Sequence, residues 1–190
     1  QGMDGRKDRP AAGGRKERTH GRIRAAYLEL LQSGEPVSVA RLCQKAQINR
    51  GTFYNHFSDL RDVQESLEDE LFEQAARQGA DALSYEFFLD VAKIIRRNAV
   101  LVAAILGNIR ESVFFNNVVT YFRHRYLRDC AERRPELRRE EADALFTYVL
   151  SGSIGIISEW VHGGFQAAEE TIAARISRLN RAVAGTVLQP

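Results

Sequence analysis

The sequence predicts an all-α protein, and two observations support this fold class. Apolar residues recur at the three- and four-residue spacing of amphipathic helices in most segments after residue 18. Gly, Pro and capping residues interrupt that pattern at short intervals, and no segment shows the strict alternation of a half-buried strand. With 190 residues, 44% of them hydrophobic, the chain can bury a core in one domain or two small ones.

Three helices are predicted within the first sixty residues. The first begins near Thr19 and ends at the Gly and Pro of residues 33–36. Ser38 is the predicted N-cap of a second helix that continues to Ala46. After a turn at residues 47–49, a short third helix is expected from about Arg50 to Phe57. A fourth, longer helix follows.

The third helix carries many hydrogen-bonding side chains and few apolar ones. Phe53 and Phe57 stand four residues apart, so they share one face and can anchor the helix. The polar side chains expected to face outward are Arg50, Thr52, Tyr54, Asn55 and His56. Such groups read base edges and phosphates in a major groove, and Gly51 lets the backbone approach closely. Taken singly, a residue such as His56 is more often a surface or helix-end histidine, and one such as Tyr54 a half-buried packing residue.

Positive charge is concentrated at the start of the chain, although the net charge is only +2. Up to Arg61 there are 12 Lys and Arg against 6 Asp and Glu, and the remainder holds 15 against 19. Residues 1–17 are predicted to form a disordered basic arm, with residues 1–2 a tag remnant. An arm of this kind contacts phosphates or enters a minor groove, or it is simply a soluble tail.

The stretch SVARLCQKAQINRGTFYNHFSDLRDV, residues 38–63, resembles the DNA-binding segment of the TetR/AcrR family of transcriptional regulators. The resemblance covers about residues 19–75. It implies that Ser38 and Val39 begin the helix that touches the DNA backbone, and it places the polar residues of the third helix on the recognition helix. Two positions depart from the family pattern. Gln47 replaces the usual Gly in an unfavourable turn geometry, and Leu60 replaces a phosphate-binding Lys, for which Arg61 can substitute.

The resemblance divides the chain into the arm, a helix-turn-helix DNA-binding domain at 18–62 and a helical regulatory and dimerisation domain at 63–190. Further helices are predicted at residues 85–98, 99–106, 111–133, 139–162 and 168–188. The expected partner is a palindromic double-stranded DNA operator, because one short recognition helix contacts too few bases for specificity. The last two helices, about 140–162 and 168–188, are the predicted homodimer interface, although both could pack within one monomer.

The expected function is that of a repressor released by a small apolar or aromatic effector. Aromatic candidates for the effector site are Phe88, Phe122, Tyr126, Tyr148 and Trp160. Aromatic residues at helical spacing are more often core. A co-activator that binds a partner protein instead of a ligand fits the sequence too.

Other classes are disfavoured. No catalytic motif is present, so an enzyme is not expected. No cofactor or metal is predicted, because His124, His162, Cys43 and Cys130 lack neighbours at ligand spacing. The longest apolar run, Ala99 to Leu106, is too short to span a membrane, so a cytoplasmic location is expected.

Overall fold

The computed structural model describes residues 12–77, 84–107, 109 and 112–187, and those residues form helices without any strand. The predicted all-α fold class is therefore confirmed. In chain order the helices are α1 (Ala12–Ser33), α2 (Val39–Lys45), α3 (Arg50–Tyr54), α4 (Leu60–Ala76), α5 (Tyr85–Arg97), α6 (Ala99–Gly107), α7 (Val113–Arg133), α8 (Arg139–His162) and α9 (Glu169–Val187).

Two compact units divide the chain between Ser66 and Leu67, within helix α4. The first unit contains α1, α2, α3 and the start of α4, and we call it the head. The second contains the end of α4 and α5 to α9, and we call it the regulatory unit. Helix α4 is the element that both units share.

Helix α1 begins at Ala12, seven residues before the predicted start at Thr19. Residues 12–17 were expected to belong to the arm, but the Arg, Lys and Glu among them are good helix formers. The hydroxyl of Thr19 also donates to the carbonyl of Arg15 at 3.1 Å, one turn earlier. The rest of the predicted arm, residues 1–11, lies outside the described residues.

The core of the head is built from one stripe of each helix. Ile23 of α1, Leu42 of α2, Phe53 of α3 and Val63 of α4 are completely buried. Burying a side chain of this size contributes roughly 1.5–3 kcal/mol. Helices as short as α2 and α3 are unstable alone, so this shared core supplies most of their stability.

The core of the regulatory unit lies among α5, α7, α8 and α9. Its fully or nearly fully buried members include Phe87, Phe122, Phe146, Ile172 and Ile176. Helix α9 packs on both α5 and α8, and α8 also packs on α6 and α7. Contacts with these helices account for part of the apolar circumference of α8.

An arginine fixes the turn between α8 and α9. The guanidinium of Arg96, on α5, donates to the carbonyl of Ala167 at 2.9 Å and pairs with Glu169 at 2.6 Å. It also lies 5.2 Å from the ring centre of Trp160, at the distance of a cation–π contact. The indole nitrogen of Trp160 donates to the same Ala167 carbonyl at 2.9 Å. These contacts join three helices at one end of the unit.

By length and composition alone, α8 could cross a membrane. The same properties characterise a helix that packs in the interior or at an interface of a protein. Only a third of its most apolar stretch is buried within the described chain. Part of the apolar surface of α8 is therefore not covered by the residues that the structure describes.

Candidate nucleic-acid interface and cavity

Side-chain caps set the starts of both helices in the predicted helix-turn-helix. The hydroxyl of Ser38 accepts from the backbone N–H of Arg41 at 3.3 Å, as expected of the N-cap of α2. The carboxamide of Asn49 accepts from the N–H of Thr52 at 2.7 Å and caps α3. Each cap satisfies a backbone donor that has no partner within its helix. The Ser38 cap thus sets where α2 begins, and the Asn49 cap sets where the turn ends and α3 begins.

The turn between α2 and α3 is strained at Gln47. Its φ of 52° lies in the left-handed region, which disfavours residues that carry a Cβ. Arg22 of α1 donates to the carbonyls of Ala46 and of Gln47, the latter at 3.0 Å. The guanidinium therefore satisfies carbonyls at the end of α2 and holds the turn in this conformation. We find no sequence signal for this pairing, since the partners are 24 and 25 residues apart.

Aromatic contacts fix α3 against the rest of the head. Phe53 is completely buried, and Phe57 stacks on the ring of His20 with 4.4 Å between ring centres. The ring centres of Phe53 and Phe57 are 6.2 Å apart, as predicted for two anchors on one face. Because both rings point inward, the polar side chains of the segment are left on the outside.

The outward face of the segment contains most of the predicted DNA-contacting residues. Arg50, Gly51, Tyr54 and Asn55 are exposed, and Thr52 and His56 are partly exposed. Tyr54 presents 57% of its surface to solvent, which is unusual for so large an aromatic side chain.

The recognition helix is shorter than predicted. Helix α3 ends at Tyr54, so Asn55 is its C-cap and His56 lies beyond it, although both were placed on the helix. The difference is local, because Phe57 still donates its backbone N–H to the carbonyl of Phe53 at 2.9 Å. A final turn of this kind keeps the two side chains near the positions they would have in a helix.

Gly51, predicted to allow close approach to DNA, also has a structural reason within the head. A Cβ at this position would lie 3.3 Å from the capping oxygen of Asn49. That separation is tighter than an ordinary van der Waals contact, so a larger residue would disturb the cap. Glycine thus protects the start of α3.

Arg61 is exposed near the start of α4, where it was expected to replace a phosphate-binding Lys. Its guanidinium pairs with Glu65 at 2.9 Å, one turn along the same helix. An exposed pair at this spacing contributes only about 0.3–0.5 kcal/mol, so a phosphate could replace the carboxylate at little cost.

Two histidines lie beside the end of α3. The ring centres of His20 and His56 are 6.2 Å apart. Burial lowers the pKa of His20, and the charges of Arg24 and His56 lower it further. His20 is therefore held mostly neutral at neutral pH in the free protein.

The regulatory unit contains an apolar cavity of about 170 Å³. Its wall comes from α4 to α8, and the side chains that line it include Leu71, Phe88, Ile105, Phe114, Phe115, Val118, Phe122, Tyr126, Val149 and Ser153. None of the lining residues that the structure describes is charged. The hydroxyl of Ser153 donates to the carbonyl of Val149 at 2.7 Å and accepts from Asn180 at 3.1 Å.

Only some of the predicted aromatic candidates border this cavity. Phe88, Phe122 and Tyr126 line it. Tyr148 does not, because its position on α8 points to solvent and leaves 65% of the residue exposed. Trp160 does not either, because it packs against Arg96 at the α8–α9 turn.

A buried carboxylate connects α4 to the wall of the cavity. Glu68 is 2% exposed and accepts from the backbone N–H of Phe114 at 3.0 Å and from the hydroxyl of Ser112 at 3.3 Å. Both donors lie at the start of α7, and Phe114 lines the cavity. The sequence pattern did not single out Glu68, since charged residues on a helix normally face solvent.

Within the described part of the chain, no group of three or more His, Cys, Asp and Glu residues is arranged to hold a metal ion. Cys43 is buried and Cys130 is partly buried, both as free thiols. His162 contacts the backbone carbonyl of Ser158 through Nδ1 at 2.8 Å.

Solved structures of known proteins share this fold. The chain superposes on a TetR transcriptional regulator from Streptococcus agalactiae 2603V with a TM-score of 0.65 and 20% identity, over 88% of this chain and 96% of that one. A TetR transcriptional regulator from Rhodococcus sp. RHA1 gives 0.57 and 17%, over 88% and 97%. The dihydroxyacetone kinase operon activator DhaS gives 0.58 and 20%, over 86% and 94%. At sequence identities this low, the similarity shows only that the fold is shared.

A family comparison adds evidence from the sequence itself. No curated protein matches the chain. Residues 84–181, just over half of the chain, match the TetR C-terminal family described as "Transcriptional regulator C-terminal region". This match lies in the regulatory unit, whereas the resemblance read from the sequence lies mainly in the head. The chain belongs to the TetR family of transcriptional regulators.

Proposed function

We propose that the protein is a repressor that binds a palindromic DNA operator as a homodimer and is released by a small apolar effector. The observation that carries the DNA-binding part is the exposed polar face of α3. Two buried Phe anchors hold that face outward, while Tyr54 leaves more than half of its surface in solvent. Such a protein would act in the cytoplasm, where the DNA is.

Selection of bound duplexes from a random pool tests the DNA-binding proposal. The intact chain should enrich a palindrome, whereas a Tyr54→Ala/His56→Ala variant should not. Tyr54 is exposed on α3 and His56 lies just beyond the helix, partly exposed, so circular dichroism should show the same helix content in the two proteins. Recovery of unspecific DNA alone by the intact chain would refute sequence-specific binding.

The dimer would form through α8 and α9. Tyr148 on α8 and Leu179 on α9 are large hydrophobic residues that are 65% and 46% exposed. The exposed positions of α8 also include Gly152 and Gly155, at which a second helix could pack closely. A Leu179→Glu variant should sediment as a monomer and lose affinity for the palindrome, because one head contacts a single half-site.

The effector would be uncharged and no larger than a small aromatic molecule. A cavity of about 150 Å³ lined by apolar side chains is large enough to bind benzene, and the cavity here measures about 170 Å³. A charged ligand would lose its hydration without gaining a charged partner, at a cost of several kcal/mol. Neutral aromatic or short alkyl compounds are therefore the class to screen.

Release of the DNA would depend on a movement of α4. Leu71 and Ala75 of α4 line the cavity, and Glu68 bonds the same helix to Phe114, which also lines it. A ligand that moves Phe114 would therefore also move Glu68. Because α4 continues back to Leu60 in the head, such a shift can change the relative population of DNA-binding and non-binding states.

Titration of the protein–operator complex with a neutral aromatic probe such as indole tests this step. DNA affinity should fall as the probe binds. A Val118→Phe variant, which fills the cavity, should keep its DNA affinity and lose the response. Loss of DNA affinity in both proteins would mean that the probe acts elsewhere.

An activator that works with a partner protein is the second candidate. One protein of the same fold is described as an operon activator, and the exposed Tyr148 and Leu179 could meet a partner instead of a second copy. The apolar cavity favours the ligand-released repressor. A monomer that responds to no neutral probe would favour the partner protein.

A further inference from the structure

A second concave surface lies in the head, between the first turns of α1 and the α2–α3 turn. It is an open groove of about 780 Å³. The residues that line it are Arg15, Arg18, Thr19, Arg22, Cys43, Gln44, Gln47, Ile48, Asn49 and Thr52. In contrast to the cavity of the regulatory unit, this groove is polar and rich in hydrogen-bond donors.

Three arginines of α1 contribute to the groove, and only one of them has a structural role. Arg15, Arg18 and Arg22 are spaced by three and four residues, so they lie on one face of the helix. Arg22 is bonded to the carbonyls of the α2–α3 turn. Arg15 and Arg18 are exposed, and neither side chain forms an ion pair with any residue that the structure describes. Two guanidinium groups therefore remain available to an external ligand.

The groove suits an anion. Its lining contains no carboxylate among the residues that the structure describes, and the amides of Gln44, Gln47 and Asn49 add further donors. The thiol at its base is no source of negative charge, because burial raises the pKa of Cys43 despite an opposing effect of Arg50. Eight of its ten described lining residues have charged or hydrogen-bonding side chains, which an apolar ligand would deprive of hydration without replacing it.

Its position identifies the anion. Thr52 belongs both to the groove and to the partly exposed residues of the recognition helix. Whatever occupies the groove therefore lies directly beside the surface that would read the bases. On a DNA duplex, the negatively charged group next to a base edge is the sugar-phosphate backbone.

We infer that this groove holds the backbone of one DNA strand and that Arg15 and Arg18 each bind a phosphate. The inference rests on the proposed DNA-binding function and extends it to α1. The rise from Arg15 to Arg18 is about 4.5 Å along the helix, and one strand of B-DNA carries a phosphate about every 3.4 Å of its axis. Two long side chains with this offset can reach neighbouring phosphates, and each guanidinium can bind two phosphate oxygens.

The test measures DNA affinity as a function of salt for an Arg15→Gln/Arg18→Gln variant. Affinities for the selected palindrome and for a random duplex are compared with those of the unaltered chain between about 50 and 200 mM salt. The slope of log affinity against log salt should become less steep by about 2 per head, and binding to both duplexes should weaken by a similar factor. An Arg15→Lys/Arg18→Lys variant should recover most of the slope, because it keeps both charges.

A variant with the same loss of charge outside the head serves as the control. Arg128 and Arg134 are exposed on and after α7 in the regulatory unit. An Arg128→Gln/Arg134→Gln protein should keep the salt slope of the unaltered chain. Equal slopes for the control and for the Arg15/Arg18 variant, with palindrome binding intact, would overturn the phosphate assignment and leave the proposed function standing.

Two further outcomes are informative. If the Arg15/Arg18 variant loses its preference for the palindrome while it keeps its affinity for random DNA, the side chains contact bases, and the phosphate assignment is wrong. If the intact chain enriches no palindrome, the proposed function fails first, and the groove inference fails with it.

Discussion

The head and the regulatory unit differ in how they use polar groups. In the head, some polar side chains hold the backbone, as Ser38, Asn49 and Arg22 do, and others remain exposed. In the regulatory unit, the polar atoms of Glu68 and Ser153 are buried and bonded within the protein, and the described lining of the cavity is largely apolar. Under the proposed function, the head would recognise charge and hydrogen bonds, whereas the cavity would recognise shape and apolar area.

Replacing Phe53 with Ala should have the largest effect, and it should destabilise the head without unfolding the regulatory unit. The side chain is completely buried, and its removal should cost the head about 3–5 kcal/mol. Affinity for the operator should be lost, while the regulatory unit keeps its helices. Urea unfolding followed by circular dichroism measures the loss of stability, and fluorescence anisotropy on labelled DNA measures the affinity for the operator. Unchanged DNA affinity would contradict the anchoring role of Phe53.

The matching change in the regulatory unit, Phe122→Ala, should leave DNA binding intact. We expect the free energy of unfolding of the regulatory unit to fall by about 3 kcal/mol, near the low end for a buried Phe→Ala substitution, because Phe122 already borders empty space. The enlarged cavity should accept larger neutral aromatic compounds, measured by calorimetry. If the variant binds no larger ligand than the unaltered chain, the cavity is not the ligand site.

Arg22→Met should reduce the stability of the head by about 1.5–3 kcal/mol, because two backbone carbonyls lose a charged donor. The long apolar side chain keeps most of the packing of the arginine stem. Arg18→Met on the same face of α1 is the control and should change the free energy of unfolding by less than about 0.5 kcal/mol. Equal effects of the two substitutions would show that Arg22 does not hold the turn.

Gln47→Gly should stabilise the head by roughly 1 kcal/mol, because glycine adopts a positive φ without a Cβ clash. The greater freedom of glycine in the unfolded chain offsets part of this gain. Gln44→Gly, at a helical position of α2, is the control and should destabilise by about 1 kcal/mol. Thermal unfolding should show a gain in stability for Gln47→Gly and a loss for Gln44→Gly. A loss of stability for Gln47→Gly would mean that the contacts of the Gln47 side chain outweigh the backbone strain.

The smallest effect concerns pH. The pKa of His20 lies below its ordinary value of 6.5 in the folded head, so the unfolded chain binds more protons in this range. The contribution of His20 to stability is therefore complete above pH 6.5 and falls as the pH decreases through that value. Between pH about 7.5 and about 5.5, the unaltered chain should lose more unfolding free energy than a His20→Gln variant. A smaller loss in the unaltered chain would mean that folding raises the pKa of His20 instead of lowering it.

The turn of the head was predictable because its signals are local. Ser38 caps α2, and the unfavourable geometry expected of Gln47 appears as a positive φ. Helix ends were less predictable: α1 starts at Ala12, and α3 stops at Tyr54. At such ends the difference in free energy between helix and coil is small, so contacts with other elements decide the boundary.

The regulatory unit shows the limit of sequence patterns. Helical periodicity located α8 with the bounds that the structure has, Arg139–His162. The same periodicity could not distinguish Phe122, which borders the cavity, from Trp160, which packs on Arg96. Both are aromatic residues on buried helix faces, and only the packing of neighbouring helices decides which face borders empty space.

By itself the sequence determined the all-α class, the helix-turn-helix with its Ser38 cap and buried Phe pair, and the concentration of positive charge in the head. These features depend on residues within about one or two helical turns of each other, where spacing fixes geometry. The tertiary structure alone decided that Arg22 holds the Gln47 turn, that Arg15 and Arg18 line a groove, and that Glu68 bonds to the start of α7. The groups that meet in each of these cases lie more than twenty residues apart in sequence, and their meeting depends on how whole helices pack.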